Sequence, residues 1–304
     1  MAQNYPYPEY KNKVVDCTVV PDLTKISGKS VVITGGAGGM GEEATRAFAN
    51  AGAFVTFGDL NEEAGKHLEA ELYPNARFVR CNVVDFESQK AMFKAAMEHS
   101  PSKTVDVAIA NAGISKSDPV YKGELINGEP QAPDLATLDV NTTGVLYTCH
   151  LARFYFMKHE LITGRDRCLI VLSSTAGYAD VPGRLIYMMS KFAARAVMRC
   201  LRRSTAYDGI RVCTLAPWFV ETKLVTPEVM QVIKSKGVKF ANAADAAAAM
   251  IRIVSDTTIN GRCFTIVNRE EAVLGYYDMD VDDFPEASRA AKQQSEFLAV
   301  SHGA

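Results

Sequence analysis

Several features are missing from this chain. It has no C-x-x-C pair, and its seven cysteines (Cys17, Cys81, Cys149, Cys168, Cys200, Cys213 and Cys263) are scattered and odd in number. A disulfide framework is therefore not expected; the pattern points to a reduced, cytoplasmic setting in which thiols serve as small apolar groups. The five histidines (His67, His99, His150, His159 and His302) do not pair with cysteines or carboxylates at metal-ligand spacing, so no metal is expected. Neither sign of charge is in excess: 33 basic and 35 acidic side chains leave a net charge of -2. Without a basic field, nucleic-acid binding is not expected. No apolar run nears the roughly 18 residues of a membrane-spanning helix; the stretch from Ala246 to Val254 is short and contains Arg252. Met1 to Pro6 lacks the basic-then-apolar pattern of a secretory signal. There is no internal repeat and no low-complexity segment. The composition is that of an ordinary globular protein, 48% hydrophobic and 22% charged.

The length of 304 residues allows two average domains or one large α/β domain. The order of patterns favours the second. Strand-like runs are expected at 30–34, 53–58, 76–81, 105–110, 168–173, 210–215 and 262–267. Helical patterns are expected at 41–51, 62–72, 86–98, 138–160 and 185–207. The strands are continuous apolar runs, as a sheet buried on both faces requires. The expected fold is α/β: one doubly wound Rossmann-type domain, with a parallel sheet of about seven strands and helices on both faces. It is expected to span 28–269, with arms at 1–27 and 270–304 and a loop at 115–134. The C-terminal arm carries an acidic patch (Asp278, Asp280, Asp282, Asp283) and a final helix.

Directly after the first strand stands Thr34-Gly35-Gly36-Ala37-Gly38-Gly39-Met40-Gly41, and a helix follows. A tight glycine turn lets backbone amides approach a pyrophosphate at the positive end of the helix. Asp59 closes the second strand, 59 − 41 = 18 residues past Gly41. An acid there accepts from the ribose hydroxyls and repels a 2′-phosphate. No lysine or arginine occupies the loop or Leu60-Asn61, which favours NAD over NADP.

Tyr187 and Lys191 are spaced i, i+4 and share a helix face. A free phenol titrates near 10, and a neighbouring ammonium favours its ionised form. Ser173-Ser174 ends a strand, on the side of a parallel sheet where ligands bind.

Together these elements resemble the short-chain dehydrogenase/reductase family over roughly residues 28–268. The glycine loop, Asn111-Ala112-Gly113, Asn141, Ser174, Tyr187 with Lys191, and Pro217 to Thr222 occur in the family's order. The thirteen-residue spacing (187 − 174 = 13) selects Ser174 over Ser173. The resemblance implies Tyr187 as acid/base, Ser174 orienting the substrate oxygen, Lys191 binding ribose and lowering the phenol's pKa, and Asn141 holding a relay water. It implies a cofactor site of Gly35, Gly39, Met40, Gly41, Asp59, Leu60, Asn82, Val83, Asn111, Ala112, Gly113, Pro217, Val220 and Thr222, with Tyr187 and Lys191. Asn82 replaces the family's common aspartate, Ala110 replaces an asparagine, and Trp218 replaces the glycine after Pro217. Trp218 is either a stacking platform for an aromatic substrate or a core residue.

The segment 223–240 is expected to be the substrate lid. Leu224, Val225, Val229, Met230, Val232 and Ile233 make it apolar, which points to a hydrophobic alcohol or ketone; alternatively these side chains pack the lid on the core. Tyr178, Met188 and Met189 are candidates for the same wall. In lacking a D-G-G ending after the last strand (Gly261 to Asn268) and in the Asp59 preference, the chain is further similar to the NAD-dependent 15-hydroxyprostaglandin dehydrogenase branch and the fungal secondary-metabolite dehydrogenases; because NAD pools are usually oxidised, NAD use points to alcohol oxidation. The rivals are an NADPH-dependent ketone reductase or redox-neutral cyclase on the same fold, and a non-catalytic nucleotide-binding scaffold. No membrane association is expected. In relatives the helices at 138–160 and 185–207 form a dimer face, so a homodimer or homotetramer is expected.

Overall fold

The computed structural model describes residues 13–116, 118, 125–159, 165–222 and 225–301. Part of the expected loop at 115–134, the lid residue Leu224 and the first twelve residues lie outside them. The elements run β1 Ser30–Thr34, α1 Gly39–Asn50, β2 Phe54–Asp59, α2 Glu62–Leu72, β3 Ala76–Arg80, α3 Phe86–His99 and β4 Val107–Ala110. A two-stranded hairpin follows, β5 Leu125–Ile126 and β6 Glu129–Pro130. Then come α4 Ala136–Leu138, a π-helical segment Asp139–Gly144, and α5 Val145–Phe156. The remainder is β7 Arg167–Leu172, α6 Leu185–Ser204, β8 Ile210–Pro217, α7 Pro227–Ser235, α8 Ala243–Ser255, β9 Cys263–Ile266, β10 Tyr276–Asp278 and α9 Arg289–Ser301.

The main sheet has the order β3-β2-β1-β4-β7-β8-β9-β10, and all neighbours are parallel except β9 and β10. The fold is the expected doubly wound α/β arrangement. The seven anticipated parallel strands are joined by an eighth, antiparallel strand, which comes from the segment read as a C-terminal arm. Tyr276 of β10 stacks on Phe264 with ring centroids 5.7 Å apart. The described part of the N-terminal arm is tied in as well. Ile26 is fully buried, and the Val15 N–H donates to the Asp278 carboxylate at 3.0 Å.

Strand residues alternate between two cores. Val31 and Ile33 of β1 join Phe48 of α1, Phe57, Leu68 and Met250 of α8 on one face. Val32 faces the other way, toward Met92, Phe93, Leu151, Phe156 and Met198 of α3, α5 and α6. Because both faces are covered, the inner strands β1, β4, β7, β8 and β9 are buried throughout and read as continuous apolar runs, whereas the edge strand β3 alternates and exposes Arg77 and Arg80. Helix α8 is absent from the sequence-based expectation. Its stretch from Asp245 to Val254 is almost entirely buried, so it shows no polar stripe to mark a helical period.

Crossovers at β1 and β4, where the winding reverses, open a crevice at the strands' C-terminal ends. Four helices carry side-chain caps: Asn61 on α2, Asp85 on α3, Thr226 on α7 and Asn242 on α8. The two that start beside the crevice, α1 and α6, have no cap on their own preceding residue.

Candidate active site

The crevice is laced together around Thr34. Its hydroxyl accepts the N–H groups of Asn111 and Ala112, each at 3.1 Å. In return, Asn111 Nδ2 donates to the carbonyls of Thr34 and Gly35, both at 2.9 Å. Gly41 lies so close under this turn that a Cβ would stand 2.0 Å from the Gly35 oxygen. Gly39 takes a φ of +53°, and a Cβ there would come within 3.2 Å of Thr222 Cγ2, so the start of the lid segment rests on the glycine loop. At Gly38, by contrast, a Cβ would meet nothing within 4 Å. Open space beside an uncapped helix start, with its orphan N–H groups, fits an anionic pyrophosphate. Met40 is half-buried against the core.

The adenosine side is built from strand ends. Asp59 accepts the Ala37 N–H at 3.1 Å and the Asn61 N–H at 3.0 Å; its carboxylate keeps acceptor capacity for a ribose. Leu60 is exposed. Val83 is buried against Gly144, where a Cβ would lie 2.9 Å from Val83 Cγ2. The Asn82 side-chain oxygen accepts the Val84 N–H at 3.3 Å, which leaves one lone pair for an adenine amino group.

Asn141 sits in the π-helical segment, a distortion that often marks functional positions. The segment is not visible as a break in the expected helix 138–160. The Asn141 side chain accepts the Ile114 N–H at 2.8 Å, donates to the Ile114 carbonyl at 2.9 Å and reaches Ser190 Oγ at 3.1 Å. The side chain therefore fixes the chain after β4, with both Nδ2 hydrogens engaged and one Oδ1 lone pair left for a water. Any Cβ on Gly113 would stand 3.3 Å from Asn141 Oδ1 and 3.5 Å from Lys191 Nζ, so strand end, asparagine and lysine converge.

Lys191 is 6% exposed and donates to the Leu172 carbonyl at 3.1 Å. Its ammonium lies over the Tyr187 ring, 5.6 Å from the centroid. Burial pulls its pKa down to about 8. Burial pushes the Tyr187 phenol up, while the Ser174 hydroxyl and then the Arg184 guanidinium draw it back. Arg184, just before the tyrosine helix, is a second cation beside the phenol, in addition to the Lys191 ammonium over its ring. Ser174 opens a short 3-10 turn, Thr175–Gly177, by accepting the Ala176 N–H at 3.2 Å. Ser173 is turned away and bonds the Lys191 carbonyl at 2.9 Å.

Pro217 ends β8, and its carbonyl receives Ser174 Oγ at 3.5 Å. Val220 is buried and bridges to Ala241. Trp218 is 41% exposed and meets Phe219 edge-on at 4.8 Å, so of its two readings the core one does not hold. The lid helix α7 buries none of its residues fully: Val229 and Val232 are exposed, and Met230 and Ile233 are half-buried. The Tyr178 hydroxyl donates to Asp282 at 3.1 Å. The Met188 sulfur accepts the Val181 N–H at 3.3 Å, and Met189 is exposed.

Two contributors escaped the sequence reading. Asp118 supplies the missing cap of α6 by accepting the Ile186 N–H at 2.9 Å. Arg184 precedes the tyrosine helix and acts on it. Neither belongs to a motif, and only the return of the chain brings Asp118 there. No group of three or more histidine, cysteine or acidic side chains among the described residues could hold a metal, and no described helix is long and apolar enough to cross a membrane.

Comparison with known proteins agrees with this geometry. The family described as short chain dehydrogenase matches residues 29–232. The chain is 34% identical over 281 residues to a 5′-hydroxyaverantin dehydrogenase of Dothistroma septosporum, covering 86% of this chain and 90% of that one. It is 28% identical over 257 residues to an NADP-dependent dehydrogenase of Cochliobolus lunatus, covering 78% and 87%. A crystal structure of a 3-ketoacyl-(acyl-carrier-protein) reductase from Brucella melitensis, complexed with NADH, superposes with a TM-score of 0.69 at 22% identity, over 79% of this chain and 97% of that one.

Proposed function

Because the chain belongs to the short-chain dehydrogenase family, we propose that it is an NAD-dependent oxidoreductase that interconverts a secondary alcohol and a ketone on a hydrophobic, aromatic or polycyclic small molecule. The observation that carries this is the convergence of Ser174, Tyr187 and Lys191 beside Gly113, at the open end of the crevice. Bound NAD supplies the hydride acceptor. Tyr187 takes the proton from the carbinol oxygen, and Ser174 hydrogen-bonds that oxygen and orients it. Lys191 holds the nicotinamide ribose, and Asn141 keeps Ile114 and Gly113 in place around it. Pro217, Val220 and Thr222 line the nicotinamide end. The main role of the protein groups is alignment and a matched proton acceptor.

Exposed Trp218, with Phe219 and Phe240 behind it, supports a planar apolar substrate. So do the exposed Val229 and Val232 of α7. The name of the fungal relative, a 5′-hydroxyaverantin dehydrogenase, points the same way. Asp59 supports NAD. One observation favours the NADP reading: Arg80 is the register partner of Asp59 across β2 and β3, so a cation shares the strand end with the acid. For assembly, exposed Leu185, Met189 and Phe192 on α6 and exposed Leu146 and Phe154 on α5 support a homodimer or homotetramer.

The test is a panel of hydrophobic secondary alcohols, 5′-hydroxyaverantin included, offered with NAD and with NADP while formation of the reduced cofactor is followed. NAD-linked oxidation of the planar members is expected. Turnover with NADP alone overturns the cofactor assignment. Cofactor binding without any turnover overturns the enzyme in favour of a scaffold.

A further inference from the structure

The acidic patch of the C-terminal segment has a use within the fold. Asp282 is 5% exposed and lies against α6, the helix of Tyr187 and Lys191. One carboxylate oxygen accepts Arg195 Nε at 2.7 Å; the other accepts the Tyr178 hydroxyl at 3.1 Å. The two donors come from different halves of the site. Arg195 stands one turn beyond Lys191 on α6. Tyr178 ends the short turn that Ser174 begins, its N–H bonded to the Thr175 carbonyl. Arg195 also stacks its guanidinium on the Tyr178 ring, 4.2 Å from the centroid, and reaches the Gly177 carbonyl at 3.4 Å. The Asp282 backbone is itself held, since its carbonyl accepts Arg199 Nη1 at 2.6 Å and Arg202 Nη2 at 2.9 Å. The next residue, Asp283, pairs with Arg202 through both of its oxygens but does not touch the Ser174 turn.

We propose that Asp282 is a positioning residue for the proton transfer: by joining Tyr178 to Arg195 it sets the distance between Ser174 and Tyr187. This rests on the alcohol-oxidation reading above. A single buried carboxylate bridging two half-buried donors adds a side-chain lock between the Ser174 turn and α6, beside the Ser173–Lys191 and Arg195–Gly177 backbone contacts, and small misplacements at a reacting centre are costly in rate. An amide at this position accepts from one donor but turns its own N–H groups toward the other, so Asp282→Asn loosens one side of the bridge with little change in volume.

The experiment compares full-length wild type with Asp282→Asn, Tyr178→Phe, the double variant and Asp283→Asn, by steady-state kinetics, NAD binding and thermal unfolding. Asp282→Asn and Tyr178→Phe are each expected to lower kcat about tenfold with NAD affinity and KM within about twofold of wild type. The double variant is expected to lose little more than either single one, because both remove the same link. Asp283→Asn is expected to lower the unfolding temperature and leave kcat unchanged. The proposal is overturned if Asp282→Asn keeps the wild-type kcat, if its loss lies in KM or NAD affinity, or if Asp283→Asn lowers kcat equally. A wild type that binds NAD and oxidises no alcohol instead removes the reading beneath it.

Discussion

The Lys191 ammonium faces the Tyr187 ring at 5.6 Å from its centroid while it donates to the Leu172 carbonyl. The lysine is held as a buried cation with one neutral acceptor, an arrangement that burial disfavours and that a folded core does not need. Its pKa falls to about 8 from 10.5. Between those values the unfolded chain binds the proton and the folded chain releases it, so folding stability gains as pH rises through this window, and the cost is full below pH 8. Lys191→Met is therefore expected to abolish turnover yet raise unfolding stability at pH 7, on the order of 2 kcal/mol. In urea titrations the gap to wild type should narrow from pH 8 to pH 10.5. A variant less stable than wild type at pH 7, or a gap that ignores pH, would mean the ammonium is well solvated.

Tyr187→Phe removes the proton acceptor but keeps the ring under Lys191. Hydride transfer is expected to fall at least about a thousandfold, while NAD still binds, since the glycine loop, Asp59 and Thr222 are untouched. Isothermal titration with NAD, paired with the rate measurement, separates the two. In wild type the phenol's ionisation is opposed by burial and helped by Ser174 and Arg184. Ser174→Ala should therefore shift the alkaline rise of the oxidation rate to higher pH; an unchanged profile would remove Ser174 from the proton path.

How far the sequence was legible follows from what each residue depends on. Gly41 is readable because no other residue fits 2.0 Å from a carbonyl oxygen, so the constraint is written locally. Tyr187 and Lys191 are readable because helical spacing alone sets their common face. The π-helical turn at Asn141 is not, since its residues also suit an ordinary helix. Every expected sheet strand forms, but β10, the β5–β6 hairpin and α8 leave no mark in the sequence: β10 is three residues long, the hairpin strands two each, and α8 is apolar on nearly every side. Asp118 and Asp282 act across gaps of 68 and 87 residues, and the sequence carries no mark of such returns.

Asp59 and Arg80 offer a direct test of cofactor choice. Removing the carboxylate removes its ribose acceptor and the repulsion of a 2′-phosphate, and leaves Arg80 beside the site. Asp59→Ala is expected to cut kcat/KM with NAD by about tenfold to a hundredfold, the range of a charge-assisted hydrogen bond, and to raise it with NADP. Arg80→Ala added to that variant should abolish the NADP gain. If wild type already prefers NADP, the acid does not select.

Leu185, Met189 and Phe192 form an exposed apolar line at i, i+4 and i+7 on α6. Isolated surface apolar residues are ordinary, but a line along one helix face is the pattern of a buried seam. In a two-fold interface the same side chain is presented by both protomers, so one substitution places two like charges close together. Phe192→Glu is therefore expected to reduce the mass measured by light scattering to half or less of the wild-type value. The substitution lies one residue from Lys191 yet points to solvent, so NAD affinity should persist if each protomer holds a complete cofactor site. A wild type that scatters as a monomer would leave the α6 line without a protein partner.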